Sequence, residues 1–339
     1  MSSISFIPKN SKIHTKNGLV NIEEIIKNDE IMTIDGYKKV HKIMSAGIKP
    51  IYTIITSKGK LNCSCEHNIP VINNNQYVLI PANKLKINNK LILTQERIPG
   101  TSNIILPSID FKSRIDRLNV PVFTEEVSWF FGFLILGGVN LKQSFKIFCN
   151  DYKQLKKICK IIKMFGTNIS IITTTDTNNN IIEITSYNFI DYIMKYLKSN
   201  TIPYFINETT YENRLAYICG IIDGIKSNHN NSIKILIENE TFIKDLNNLL
   251  YSCGLECNTN KNTLTILETS SLNIIKKNNF LDSKITTDLS TISNNIYINN
   301  YLCSSADFVE IKHNIDIESY KLEFEETTEF FCDGYLISS

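Results

Sequence analysis

The residues able to do chemistry are few and scattered. Nine cysteines and five histidines occur among 339 residues. There is no Cys-x-x-Cys pair. The nearest two, Cys63 and Cys65, sit too close for a usual metal knuckle, and the dispersed histidines supply no zinc set. Scattered cysteines in odd number, several inside apolar runs, suit buried thiols in a reducing compartment. One acid, Asp223, interrupts an apolar glycine-bearing stretch, and a single carboxylate at a helix end is ordinarily a capped or solvated group. A formal net charge of +2 gives no global signal for nucleic acid, so any basic patch must be local. No apolar run reaches the length of a membrane span, and the start of the chain lacks the pattern of a secretory signal. These features predict a soluble intracellular protein, in the nucleus or cytoplasm, with no membrane partner and acting as a monomer.

Two stretches organise the chain: Phe130 to Gly138 (FFGFLILGG) and Ile218 to Lys226 (ICGIIDGIK). Gly132 and Gly220 are 88 residues apart, and the same offset lays Ser144 on Ser232, Lys146 on Lys234 and Gly166 on Gly254. The chain therefore carries an internal repeat of two copies, which points to a pseudo-symmetric domain rather than a solenoid. Each stretch reads as a helix. Glycine inside a helix costs about 1 kcal/mol against alanine, but it lets a second backbone approach closely. The sequence predicts two helices packed at Gly132 and Gly220, the first opened by Thr124 and Glu126. In each copy strands and an outer helix follow. Asn150-Asp151 caps the outer helix of the first copy, and its lysines (Lys153, Lys156, Lys157, Lys160, Lys163) read as a solvated face.

Residues 1–110 read as short strands broken by Asn17-Gly18, Asp35-Gly36 and Lys58-Gly59 turns. Lys38 to Met44 and Lys60 to Ser64 are among the predicted strands. Tyr297 to Leu302 and Phe308 to Lys312 are predicted strands of the C-terminal segment.

Helix, strands, helix, strands, helix, twice over and with a glycine-bearing helix first, resembles the LAGLIDADG homing endonucleases of the kind carried inside inteins. The flanking motifs agree. SKIHTKNGLVNIEEI and GKLNCSCEHNIPV resemble the first two motifs of the intein-type (Hint) self-processing domain, and SYKLEFEETTEFFCDGYLISS resembles its last two. The resemblance implies an α+β chain: an all-β Hint-like domain, residues 1–110 and 284–339, split by an inserted pseudo-twofold LAGLIDADG-like α/β domain, residues 111–283. The two copies are expected at about 124–198 and 212–279.

The resemblance also implies roles. Ser64 and His67 fall where a threonine and histidine polarise the scissile peptide, and such a histidine can protonate a leaving nitrogen. Counting back from Ile13 places Phe6 at the nucleophile position, with Ser5 beside it; phenylalanine cannot attack a carbonyl. At the other end Thr328 and Ser338 stand where the motif has histidines, and Ser339 stands where an asparagine amide would cyclise. The endonuclease acids, which hold Mg2+, fall on Gly137 and Ile225. Asp223, two residues before the second position, faces away from it. Lys142, Lys146, Lys226 and Lys234, at or beside the first strands of each copy, are the expected contacts to double-stranded DNA. The expected function is an intein-derived, homing-endonuclease-like protein that binds DNA with endonuclease and protein-splicing chemistry lost and no cofactor. The alternatives are a site-specific endonuclease that still uses Mg2+, with Asp223 as its acid, and a structural or protein-interaction protein.

Overall fold

The computed structural model describes residues 5–73, 76–108, 118–141, 144–166, 168–175, 180–197, 201–225, 229–230, 232–260, 262–266, 269–277, 285–286, 296–298, 301–313, 316–326 and 328–339. It comprises an all-β region and a separate helical α/β region. By contact the chain divides into residues 1–101, 236–271 and 290–339, and residues 102–235 and 272–289.

In the β-rich unit the two ends of the chain share sheets. Glu329–Cys332 pairs with Glu30–Thr33 and with Lys12–Thr15, and Tyr301–His313 pairs with both Ile51–Thr56 and Lys90–Thr94. A second, three-stranded sheet sets Ile317–Glu323 between Ile7–Pro8 and Lys42–Lys49. Alternating Ile, Leu and Val from both ends fill one core, with Ile13, Ile54, Leu61, Leu93, Phe330 and Tyr335 fully buried. Neither end could bury its apolar face alone.

Two strands differ from the sequence reading. The predicted Lys38–Met44 strand is broken at Val40. Gly36–Lys39 pairs with Glu30–Thr33, Val40 N–H bonds back to Asp29, and His41 N–H already bonds across to Glu323. The run changes partner, so it cannot stay one strand. The predicted Tyr297–Leu302 strand is two facing strands, Ile296–Ile298 and the start of Tyr301–His313, with Tyr297 opposite Leu302.

Residues 236–271 group with the β-rich unit, whereas the sequence reading places them inside the insert. The reason is the helix Glu240–Ser252. Its Tyr251 joins the β core, and its hydroxyl donates to Lys58 O at 2.9 Å. Asn248 donates to the Asp333 carboxylate at 3.0 Å, and Lys58 pairs with Glu256 just beyond the helix.

The helical unit is built on Glu125–Gly137 and Tyr211–Gly224. Thr124 and Thr210 cap them, accepting from Val127 N–H and Asn213 N–H. Asp151 caps Tyr152–Phe165 in the same way. On that helix Leu155, Ile158, Ile161, Ile162 and Phe165 make the buried stripe, as a 3.6-residue period requires. Phe131 packs edge to face with Phe165 and Phe205, and Tyr192 meets both Phe131 and Phe165 at a tilt. A four-stranded sheet completes the first copy, in the order Gly138–Asn140, Phe145–Cys149, Asn180–Ile184, Ile171–Thr175. All nine cysteines are free thiols. Among the described residues no helix is long and apolar enough to cross a membrane.

Candidate functional sites

In the β-rich unit both ends of the chain converge on Ser64 and His67. The strand Lys60–Ser64 delivers Ser64, which bonds Phe6 twice: Ser64 N–H donates to Phe6 O and Phe6 N–H donates to Ser64 Oγ, each at 3.0 Å. The amide held here is the one joining Ser5 to Phe6. Ser5 is buried with its hydroxyl unpartnered, one residue upstream of the held nitrogen. His67 follows in a tight turn, its N–H donating to Ser64 O at 3.1 Å. The ring is 1% exposed, and burial lowers its pKa to about 4 against weaker opposing backbone hydrogen bonds. At neutral pH the imidazole is therefore uncharged.

His67 Nε2 lies 3.0 Å from the Ser338 carbonyl oxygen. That oxygen can only accept, so Nε2 carries the proton and Nδ1 the lone pair. The last strand, Tyr335–Ser338, reaches this point through a hairpin from Glu329–Cys332. Its turn, Asp333-Gly334, has positive φ at both residues (49° and 82°), the backbone of a type I′ hairpin. A side chain at Gly334 would also strike the Tyr251 ring. Ser339 is anchored by Thr328: its N–H donates to Thr328 O at 2.9 Å, and its Oγ accepts from Thr328 N–H at 3.2 Å. The five positions Phe6, Ser64, His67, Ser338 and Ser339 are thus brought together. Residue 6 carries no nucleophilic side chain, and residue 339 carries no side-chain amide.

The second candidate site is the helix pair. A methyl group on Gly132 would lie 2.0 Å from Tyr217 O, and one on Gly220 would lie 2.0 Å from Trp129 O. The helices touch backbone to backbone at these two glycines. Gly224, one turn beyond Gly220, makes a third close approach that the sequence reading missed; a methyl there would be 2.8 Å from Phe133 O. Its signal was the Gly-x-x-x-Gly spacing. Ser128 Oγ adds a bond to Asn213 O at 2.7 Å.

The paired helices end at Gly137 and Gly224, with Ile225 as the cap. Neither Gly137 nor Ile225, the positions where the resemblance implies an acid, carries a carboxylate. Asp223 is 1% exposed and turned into the protein, where Trp129 Nε1–H donates to its Oδ2 at 2.8 Å. Its carbonyl accepts from Asn150 Nδ2 at 3.2 Å. Among the described residues no group of three His, Cys, Asp or Glu is placed to hold a metal. The residues at these helix ends do not fit Mg2+, because the one nearby carboxylate already serves an indole. Lys157 also departs from expectation: its ammonium lies 3.5 Å from the centre of the Trp129 ring, a cation–π contact rather than a solvated position.

Of the expected DNA contacts, Lys142 and Lys226 lie outside the described residues. Lys146 sits on Phe145–Cys149 directly opposite Glu183, and the two make an ion pair at 3.6 Å. The register continues outward to Val139 on one side and Ile172 on the other, so Val139, Lys146, Glu183 and Ile172 form one row across the sheet. Val139 and Ile172 are 45% and 55% exposed. Glu183 gave no signal in the sequence, since only strand register pairs it with Lys146. Lys234, on Ile233–Leu236, is exposed.

No family model matches the chain, and no curated protein matches it. Solved structures similar to parts of it fall into two groups. A variant of the Ssp DnaB mini-intein is 20% identical with a TM-score of 0.26, over 28% of this chain and 64% of that one. The gp41-1 intein is 23% identical with a TM-score of 0.23, over 26% and 68%. The homing endonuclease I-DmoI, solved in complex with DNA and Mn, is 12% identical with a TM-score of 0.35, over 47% and 98%. The chain thus spans just under two thirds of the mini-intein. Its likeness to intein-like and LAGLIDADG homing-endonuclease folds is distant, at low identity and over part of its length.

Proposed function

We propose that this protein is an intein-like, homing-endonuclease-like chain that binds duplex DNA, neither cutting it nor excising itself, and acts as an intracellular monomer in the nucleus or cytoplasm. The observation that carries the reading is the helix pair. Its glycines keep two backbones in contact, a geometry costly to maintain, while Gly137 and Ile225 hold no acid at the ends. A retained frame without its metal ligands favours binding over cleavage. Excision is unsupported for a parallel reason, since Phe6 and Ser339 offer neither a nucleophile to the held amide nor an amide to cyclise.

Lys146 and Lys234 are the cations assigned to DNA phosphates. Lys146 would exchange Glu183 for a phosphate oxygen, because a half-exposed pair at 3.6 Å is weak. The test is binding to mixed duplex DNA at two salt concentrations. Affinity should fall as salt rises, with a logarithmic slope of about 0.9 per phosphate neutralised. Lys146→Ala and Lys234→Ala should weaken binding and flatten the slope, Glu183→Gln should strengthen binding, and added Mg2+ should yield no cuts. Defined cuts would refute the reading.

One observation favours a second reading. Val139 and Ile172 flank the Lys146–Glu183 pair on the same row, an apolar border better suited to a protein surface than to phosphates. Absence of DNA affinity even at low salt would select this reading.

A further inference from the structure

The strand Gln76–Pro81 (QYVLIP) has the composition of a strand from the middle of a sheet, yet it stands at an edge. Among the described residues it pairs on one side only, with Asn68–Asn73. It alternates apolar side chains onto both faces and carries no charge, whereas edge strands are ordinarily blunted by charges. Tyr77 lies opposite Ile72, which packs on the cluster of Met32, Ile34 and Phe331. Val78 lies opposite Val71, in the core that holds Ile13 and Leu61. Apolar side chains thus continue from both clusters out to this strand and stop there, leaving Tyr77, Val78 and Leu79 39%, 39% and 45% exposed.

The phase of the hydrogen bonds fixes which backbone groups face outward. Just past the strand, Ala82 N–H donates to His67 O at 2.8 Å. Bonded pairs of an antiparallel ladder recur at every second residue, so the next are Ile80 with Ile69 and Val78 with Val71. Pro70 and Pro81, which have no N–H to give, fall on the non-bonded pairs between them, as that phase requires. Tyr77 and Leu79 therefore turn their N–H and C=O groups away from Asn68–Asn73. We propose that this edge pairs antiparallel with the same strand of a second copy of the chain, about a twofold axis at Val78. Tyr77 then exchanges both backbone bonds with the partner's Leu79, and Leu79 does the same with the partner's Tyr77, so each of these outward groups is satisfied. Val78 faces the partner's Val78 in a non-bonded pair, where side chains lie closest. Tyr77 and the partner's Leu79 add aromatic–aliphatic contacts across the strands. A second copy suits the edge because the register is self-complementary and no like charges meet. The layer missing from the edge must be a strand apolar on both faces, and this strand is itself one. The single chain is the form assigned to DNA; pairing goes beyond that reading, to a second state reached by mass action as concentration rises.

The experiment follows the mass of the full chain by sedimentation across about a hundredfold range of concentration, over which mass action should convert monomer to dimer. Val78→Lys should abolish the dimer, because it sets two ammonium groups against each other on the axis. Val78 is half-exposed, so the variant should keep the circular dichroism and thermal midpoint of the unaltered chain. The register has its own test. Val78→Cys, treated with glutathione disulfide, should form a disulfide with its copy, since Cα atoms of a non-bonded pair lie about 4.5 Å apart, within disulfide reach. Leu79→Cys should not, because its copies stand two residues out of register. The unaltered chain, treated alike, sets the background from the native cysteines. A chain that stays monomeric throughout, or a dimer that persists in folded Val78→Lys, overturns the proposal. Equal crosslinking of Val78→Cys and Leu79→Cys would overturn the twofold register.

Discussion

Replacing Gly220 with alanine puts the helix pair under direct test. The added methyl would sit 2.0 Å from Trp129 O, whereas real Cβ atoms essentially never approach within 3.0 Å of another heavy atom. The obstacle is backbone and cannot rotate away, so the helices must part by about 1 Å along a buried seam. Overpacking of this kind costs about 1–3 kcal/mol, and a rigid backbone neighbour places it at the upper end. Alanine returns about 1 kcal/mol through helix propensity. The net loss is then about 2 kcal/mol, roughly a thirtyfold fall in the ratio of folded to unfolded chain. Gly132→Ala should cost a similar amount, because its methyl meets Tyr217 O at the same distance. The double substitution should cost less than the sum, since helices already parted accommodate the second methyl more easily. The assay is built in. Trp129 is the only tryptophan, it lies on the first paired helix, and it is fully buried. Urea titration followed by its fluorescence should show the midpoint falling in each variant. An unchanged or higher midpoint for Gly220→Ala would refute the close packing of the two helices.

Two further outcomes follow from the β-rich unit. His67 has a folded pKa of about 4 against an ordinary 6.5. Protons therefore bind the unfolded chain first, and stability at neutral pH should be lost as pH falls from about 6.5 towards 4, by up to about 3 kcal/mol. Urea titrations across that range should show the loss, and His67→Gln should flatten it; a flat profile in the unaltered chain would contradict the buried neutral ring. Phe6→Cys places a thiol on the residue whose amide Ser64 holds. With a small thiol present it should release the segment ending at Ser5, seen as a shortened chain by intact mass, and Ser64→Ala should slow that release. No release on long incubation would show that the held amide is not activated.

Local signals in the sequence carried the elements, and long-range pairing decided what it could not reveal. Thr124 and Asp151 are legible as caps because capping needs only residues three apart. Gly132 and Gly220 are legible as a pair because the repeat aligns them. Asp333-Gly334 is legible as a hairpin turn because few residues other than Asx and glycine accept its positive φ. The break at Val40 was not legible, since it depends on which strand waits at Glu323. Nor was the state of Lys146, which depends on register with Glu183, or of Lys157, which depends on Trp129 lying beneath it. The candidate site at His67 was visible as a set of positions. Its protonation state was not, because burial comes from the whole fold.

The two copies of the repeat show how far equal sequence positions can diverge. Lys156 and Lys244 occupy the same place in the two outer helices, 88 residues apart. Lys156 is exposed. Lys244 pairs with the fully buried Asp333 carboxylate at 3.0 Å. Burial lowers the lysine's pKa, but the charge and hydrogen bond of Asp333, with smaller contributions from Cys332 and Asp245, together outweigh it and hold the ammonium above its usual value. Lys244 faces Oδ2, while Asn248 and Lys12 N–H each donate to the other oxygen, Oδ1, at 3.0 Å. The helix Glu240–Ser252 is therefore the clamp on the turn that aims Tyr335–Ser338 at His67. An element that by sequence belongs to a repeat of glycine-bearing helices here positions the Ser338 carbonyl. Geometry at the chain ends thus depends on residues 236–271 as directly as on the strands that carry Ser64 and Ser338.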